Sequence, residues 1–137
     1  LGKWSVTKGF TTVLKNKSKL KAFIDRVAEL DPKYYYGAGD RGLGAFYAKA
    51  PSFAGGDTDK AREHFERSLK IEPSYFGTKT LMAQYLAVKT QDRELFEKVL
   101  KEVIAGDINV IPEIMPMQKI EQERAKELLG QAEDLFE

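Results

Sequence analysis

Apolar residues recur at intervals of three and four along almost the whole chain, and no run of five to eight β-branched residues alternates with polar ones. That is the helical period, so the spacing predicts an all-α fold of about seven helices in antiparallel pairs. A first helix carrying Trp4 is expected ahead of Ser18. Leu20, Phe23, Ile24, Val27 and Leu30 then form the apolar stripe of a second, with Ser18 as N-cap and Asp31-Pro32 at its end. The next helix is predicted from Tyr34 to Lys49 and is loosened by Gly37, Gly39, Gly42 and Gly44. Each glycine costs about 1 kcal/mol relative to alanine inside a helix, so the load calls for a close neighbour, either another helix or the backbone of a ligand or partner.

Pro51 to Asp57 reads as a loop containing Gly55 and Gly56, and Asp57 or Thr58 caps a helix with Ala61, Phe65, Ser68, Leu69 and Ile71 on its apolar side. Pro73-Ser74 closes it and caps a helix from Tyr75 to Lys89. After the Thr90-Gln91-Asp92 turn, Leu95, Phe96, Val99, Leu100, Val103 and Ile104 face inward, with Gly106 as the expected left-handed stop. Pro116 opens a last helix with Met117, Ile120, Ala125, Leu128, Leu129, Ala132, Leu135 and Phe136 on one stripe.

The chain repeats itself. Leu20, Ile24, Val27 and Pro32 recur 41 residues later as Ala61, Phe65, Ser68 and Pro73. These offsets suit the second helix of a tetratricopeptide repeat, where a small residue admits the partner helix, a bulky one fills the hairpin and proline punctuates the exit. The excess over a 34-residue period falls in the Pro51 to Asp57 loop.

Composition narrows the chemistry. The chain has 137 residues, no cysteine and one histidine, His64, which removes thiolate sites and any site needing two imidazoles. Neither a metal site nor a cofactor is expected, and the chain reads as a binding protein rather than an enzyme. A hydrolase built on paired carboxylates would need two acids close together in one cleft. The length suits a single helical domain over residues 1–137. The net charge of +1 hides an asymmetry: residues 1–24 hold six lysines and no acid, and the remaining 113 residues carry −5. A basic lead of this kind suits either a solvated helix face or a segment drawn to anionic lipid headgroups. Lack of cysteine fits both a reducing cytoplasm and a periplasm.

The run Asp31-Pro32-Lys33-Tyr34-Tyr35-Tyr36-Gly37-Ala38-Gly39-Asp40-Arg41-Gly42-Leu43-Gly44, then Gly55-Gly56-Asp57 with Ala61 and Phe65, resembles the T component of tripartite ATP-independent periplasmic (TRAP) transporters. Gln91-Asp92-Arg93-Glu94-Leu95-Phe96 and the terminal helix with Ala125, Leu128-Leu129 and Phe136 resemble the same family. The resemblance implies a membrane-anchored periplasmic lipoprotein of tetratricopeptide-like hairpins. It further implies association with the extracytoplasmic solute-binding protein, self-association into a small ring, and a part in handing over a hydrophobic or organic-acid ligand.

Gly37-x-Gly39-x-x-Gly42 matches a dinucleotide fingerprint in letters only, because no strand precedes it. His64, between Glu63 and Phe65, is expected at the solvent boundary. Arg41 is expected either to hold a carboxylate on a partner or ligand, or to pair with Asp40 or Asp57. Three consecutive tyrosines cannot all point inward from a helix, so at least one faces a groove or interface. The expected binding face carries Tyr35, Arg41, Tyr47, Lys79 and Tyr85, on the concave side of stacked hairpins. The leading function is a scaffold recruiting another protein. The alternatives are a carrier or channel for a small ligand, with a cavity among Phe46, Tyr47, Phe53 and Phe76, and a generic tetratricopeptide adaptor on a membrane-anchored protein.

Overall fold

The computed structural model describes residues 19–31 and 33–137. The expected helix around Trp4, the Ser18 cap and the exit at Pro32 lie outside the described residues. Within them there are seven α-helices and no strand. They are α1 (19–30), α2 (Ala38–Lys49), α3 (Thr58–Ile71), α4 (Phe76–Leu81), α5 (Arg93–Ala105), α6 (Met115–Gly130) and α7 (Ala132–Leu135). α4 continues into a π-helical segment, Met82–Ala87, and short 3-10 turns occupy Ser52–Ala54 and Pro112–Ile114. The single terminal helix expected from Pro116 is divided at Gln131.

The contacts of α2 with α1 and with α3 run in antiparallel order. Ala28 and Ile24 of α1 face Gly39 and Gly42 of α2, and Gly37 and Gly44 abut Ser68 and Phe65 of α3. A Cβ on Gly39 would stand 2.7 Å from the Ala28 Cα, and one on Gly44 would stand 2.8 Å from the Phe65 ring. Neighbouring helices are therefore the reason for the glycines, and α2 runs unbroken through Gly39, Gly42 and Gly44.

The two larger apolar clusters hold the helices together, and a third, of Tyr75, Ile111 and Ile114, packs against Tyr36. Ala48, Ala61, Phe65, Met82 and Leu86 join α2, α3 and the π segment. Phe76, Phe96, Val99, Leu100, Val103, Ala125, Leu128 and Phe136 join α4 to α7, with Phe96 and Phe136 in edge contact at 4.9 Å. Burying each large side chain contributes about 1.5–3 kcal/mol. The repeat positions are not equally buried: Ala61, Phe65 and Ser68 are sealed between α2 and the π segment, whereas their counterpart Leu20 is exposed. Along α6 the buried face carries Gln118, Ala125 and Leu128, while Met117 and Ile120 are exposed, so the predicted stripe is rotated by about one residue.

Helix ends explain several departures from the sequence reading. Asp57 caps α3 as expected, accepting from the backbone N–H groups of Asp59 and Lys60 at 3.0 and 3.1 Å. Ser74 does not cap α4. Its N-cap position is Tyr75, and the Phe76 N–H is instead satisfied by Gln118 Oε1 of α6 at 3.1 Å, while Gln118 Nε2 donates to the Ser74 carbonyl at 2.6 Å. Gly106 is extended (φ −71°) rather than left-handed. Its lack of a side chain makes room for the Phe76 ring.

Candidate functional site

The helix expected from Tyr34 begins four residues later, because residues 33–37 form a turn in which Tyr35, Tyr36 and Gly37 all have positive φ (42°, 59° and 82°). Non-glycine residues in this region cost roughly 1 kcal/mol or more each, so the turn must be held from outside. Arg41 holds it: Nη1 donates to the Tyr36 carbonyl at 3.1 Å and Nη2 to the Tyr35 carbonyl at 3.2 Å. The guanidinium lies 4.2 Å from the centroid of Tyr75, and Tyr36 stacks on that same ring at 5.3 Å. The tyrosine hydroxyls continue the tie, Tyr35 donating to Met117 Sδ and Tyr36 to Glu113 Oε1, both at 3.3 Å.

Arg41 is only 9% exposed. Burial lowers its pKa from the ordinary value and raises that of the Tyr75 hydroxyl. The expected pairing of Arg41 with Asp40 or Asp57 is corrected, since among the described residues its guanidinium meets two backbone carbonyls and a ring, while Asp40 pairs with His64.

Asp40 instead pairs with His64. The Nδ1 of His64 lies 2.8 Å from Asp40 Oδ1, and the imidazole stacks on Tyr47 at 5.6 Å. His64 is thus largely withdrawn from solvent, contrary to its expected place at the boundary, because the side of α3 that carries it faces Asp40 and Tyr47 of α2. Asp25, Glu29 and Arg67 share the shallow polar recess beside this pair. Among the described residues no cluster of His, Asp or Glu has a metal-holding arrangement.

An apolar concavity lies between α1 and the start of α2. It encloses about 420 Å³ and is lined by Phe23, Ile24, Val27, Leu30, Tyr34 and Gly39, with Asp31 as its one charged member. Phe23 and Leu30 are about two-thirds exposed, at 67% and 68%. Among the described residues, part of the α1 stripe is thus left uncovered, beside a glycine that thins the facing helix.

The five residues predicted to form one face each meet a local partner. Tyr35 and Arg41 meet in the turn. Tyr47 stacks on His64, with Lys21 and Lys60 over its ring at 5.4 and 5.6 Å. Lys79 pairs with Glu102 of α5 at 2.9 Å, and Tyr85 lies under Lys49 at 4.9 Å. Of the loop and packing residues, Ala61, Phe65 and Phe96 are core, and Asp92 caps α5 through the Leu95 N–H at 3.0 Å. Gly55 and Gly56 turn the α2–α3 loop, Gly55 at φ 96°.

The expected cavity among Phe46, Tyr47, Phe53 and Phe76 is not formed. Phe76 is buried in the distal cluster and Phe53 is 85% exposed. Tyr75, Gln118 and the exposed α1 stripe were not singled out as functional. For the stripe the available signal was its unusually wide apolar arc, from Leu20 to Leu30.

A family model described as "TRAP transporter T-component" matches residues 2–136. An uncharacterized protein of Treponema pallidum (strain Nichols) is 29% identical over 117 residues, which make up 82% of this chain and 35% of that protein. The chain thus spans about a third of the length of the curated relative it matches.

Proposed function

The chain belongs to the TRAP transporter T-component family, and from that premise we propose that it is a non-enzymatic scaffold that recruits the solute-binding protein of such a transporter. The observation that carries this reading is the apolar groove of Phe23, Val27, Leu30 and Tyr34, which no described residue covers. Contiguous exposed apolar surface with a charged rim is characteristic of protein docking sites, and two large side chains at its centre are suited to act as anchors. In this reading residues 1–137 act as one helical unit of tetratricopeptide-like hairpins, at the extracytoplasmic side of a membrane. Tyr35, Tyr47, Lys79 and Tyr85 remain proposed partner contacts outside the groove, whereas Arg41 supports the turn beneath Tyr35.

Co-purification with the solute-binding protein of the same transporter tests the proposal. Phe23→Asp and Leu30→Asp are expected to lower recovery at least about tenfold, as loss of an interface anchor does. Undiminished recovery with both variants folded would reject the groove as the docking site.

A second reading is a carrier for a small hydrophobic ligand, favoured by the groove volume of about 420 Å³ and its lining, which lie within the range of small-molecule sites. Asp31 would repel a carboxylate there, so the groove suits an uncharged or cationic apolar ligand better than an organic acid. Saturable binding of such a ligand that does not compete with the partner protein would favour this reading.

A further inference from the structure

The end of the bundle formed by the α2–α3 loop combines one fully presented aromatic ring with lysines that have no carboxylate partner. Phe53 sits at the tip, 85% exposed, on a turn that is held firmly. Ala54 and Gly56 donate backbone hydrogen bonds to the Pro51 carbonyl at 2.9 and 3.0 Å, and Asp57 N–H donates to the Tyr47 carbonyl at 3.0 Å. Lys89 Nζ closes the base by donating to the Ala50 carbonyl at 2.8 Å. A large apolar ring fixed outward in this way costs solvation in the isolated protein and requires little further ordering to insert into an apolar layer.

Lysines lie at the same end of the bundle, Lys49 in the last turn of α2, Lys60 in the first turn of α3 and Lys89 against the base of the loop. Lys21 lies 5.8 Å from the Phe46 ring and 5.4 Å from Tyr47, Lys60 lies 5.6 Å from Tyr47, and Lys49 lies over Tyr85. Of the acids nearby, Asp25 pairs with Lys21 at 2.8 Å and Asp57 is engaged with the first N–H groups of α3, leaving Asp59. No described carboxylate pairs with Lys49, Lys60 or Lys89, whereas other lysines such as Lys79 and Lys126 do find one. Residues 1–18 contain no acid to supply one. The described start of α1 reaches this end too, since Lys21 lies over Phe46 and a Cβ on Gly55 of the loop would stand 3.9 Å from the same ring.

We propose that this end of the molecule docks on an anionic lipid surface, with Phe53 entering the headgroup boundary and Lys49, Lys60 and Lys89 facing the lipid phosphates. An apolar ring combined with a basic surround is the chemistry of interfacial lipid binding. The site is distinct from the α1 groove, which lies toward the other end of α2, so the two proposals fail independently.

Cosedimentation of residues 1–137 with vesicles tests it, comparing phosphatidylcholine alone with phosphatidylcholine containing phosphatidylglycerol. Binding is expected only to the anionic vesicles and is expected to weaken with salt. Phe53→Ser should lower partitioning about tenfold, and Lys49→Gln and Lys60→Gln about fivefold each. Ile120→Ser, an equally exposed apolar substitution on α6, should leave it unchanged. The proposal is overturned by absence of binding to the anionic vesicles, by full binding of Phe53→Ser, or by binding to polyglutamate with none to vesicles, which would indicate an acidic protein partner.

Discussion

Asp40 and His64 form a cross-helix pair, 2.8 Å between Oδ1 and Nδ1, that ties the first turn of α2 to the middle of α3 while Tyr47 covers the imidazole face. Asp40 is buried, and among the described residues His64 is its side-chain partner. Removing the histidine strands a buried acceptor, which costs about 1–3 kcal/mol. His64→Ala is therefore expected to lower unfolding stability by about 2 kcal/mol in urea. Adding Asp40→Asn should recover part of that loss; purely additive effects in the double-mutant cycle would show that the two residues act separately.

Arg41 combines two backbone hydrogen bonds with a ring contact, and a lysine cannot reproduce that planar fork. Arg41→Lys should destabilise the protein by roughly 2 kcal/mol, with a fall in Tm of several degrees. Tyrosine fluorescence should report greater exposure of Tyr35 and Tyr36. An unchanged Tm would mean that the left-handed turn holds itself.

Stability should decline at alkaline pH. Burial raises the Tyr75 hydroxyl pKa above its unfolded value of about 10. The folded state then holds its proton longer than the unfolded chain, so this contribution is complete below pH ~10 and is lost as pH rises through the folded value. Tyr75→Phe should flatten the fall in thermal midpoint above pH ~10. Tyr36, whose pKa is also raised, leaves a residual slope.

Two helical glycines should respond oppositely to alanine. Gly39→Ala forces its Cβ into the Ala28 backbone and should cost about 2 kcal/mol despite better helix propensity. A Cβ at Gly130 would meet nothing within 4 Å, so Gly130→Ala should add roughly 0.5–1 kcal/mol. Chemical denaturation of both variants checks the sign.

These contrasts show what the chain made legible. Period and caps located most helices, because Ala61, Phe65, Phe96 and Val103 are buried where helical spacing put them. The helix at Tyr34 was misplaced because the side chain that stabilises its left-handed turn lies five and six residues downstream in Arg41, a cooperation that no local propensity records. The neighbours of the residues on the expected binding face were not legible for a related reason. Tyr35, Tyr47, Lys79 and Tyr85 each met a local partner, and helix spacing alone does not say which neighbour a long side chain will choose. His64 was similarly hidden, since Asp40 lies 24 residues away. The 41-residue repeat conveyed spacing but not burial, so Leu20 and Ala61 are equivalent in sequence and opposite in exposure.

Amide hydrogen exchange of the chain with and without the solute-binding protein of its transporter tests the scaffold reading most directly. The account predicts slower exchange over residues 20–39, spanning α1 and the turn into α2, with Leu30→Asp abolishing the effect. Unchanged exchange there, or protection confined to α4 to α6, would contradict it.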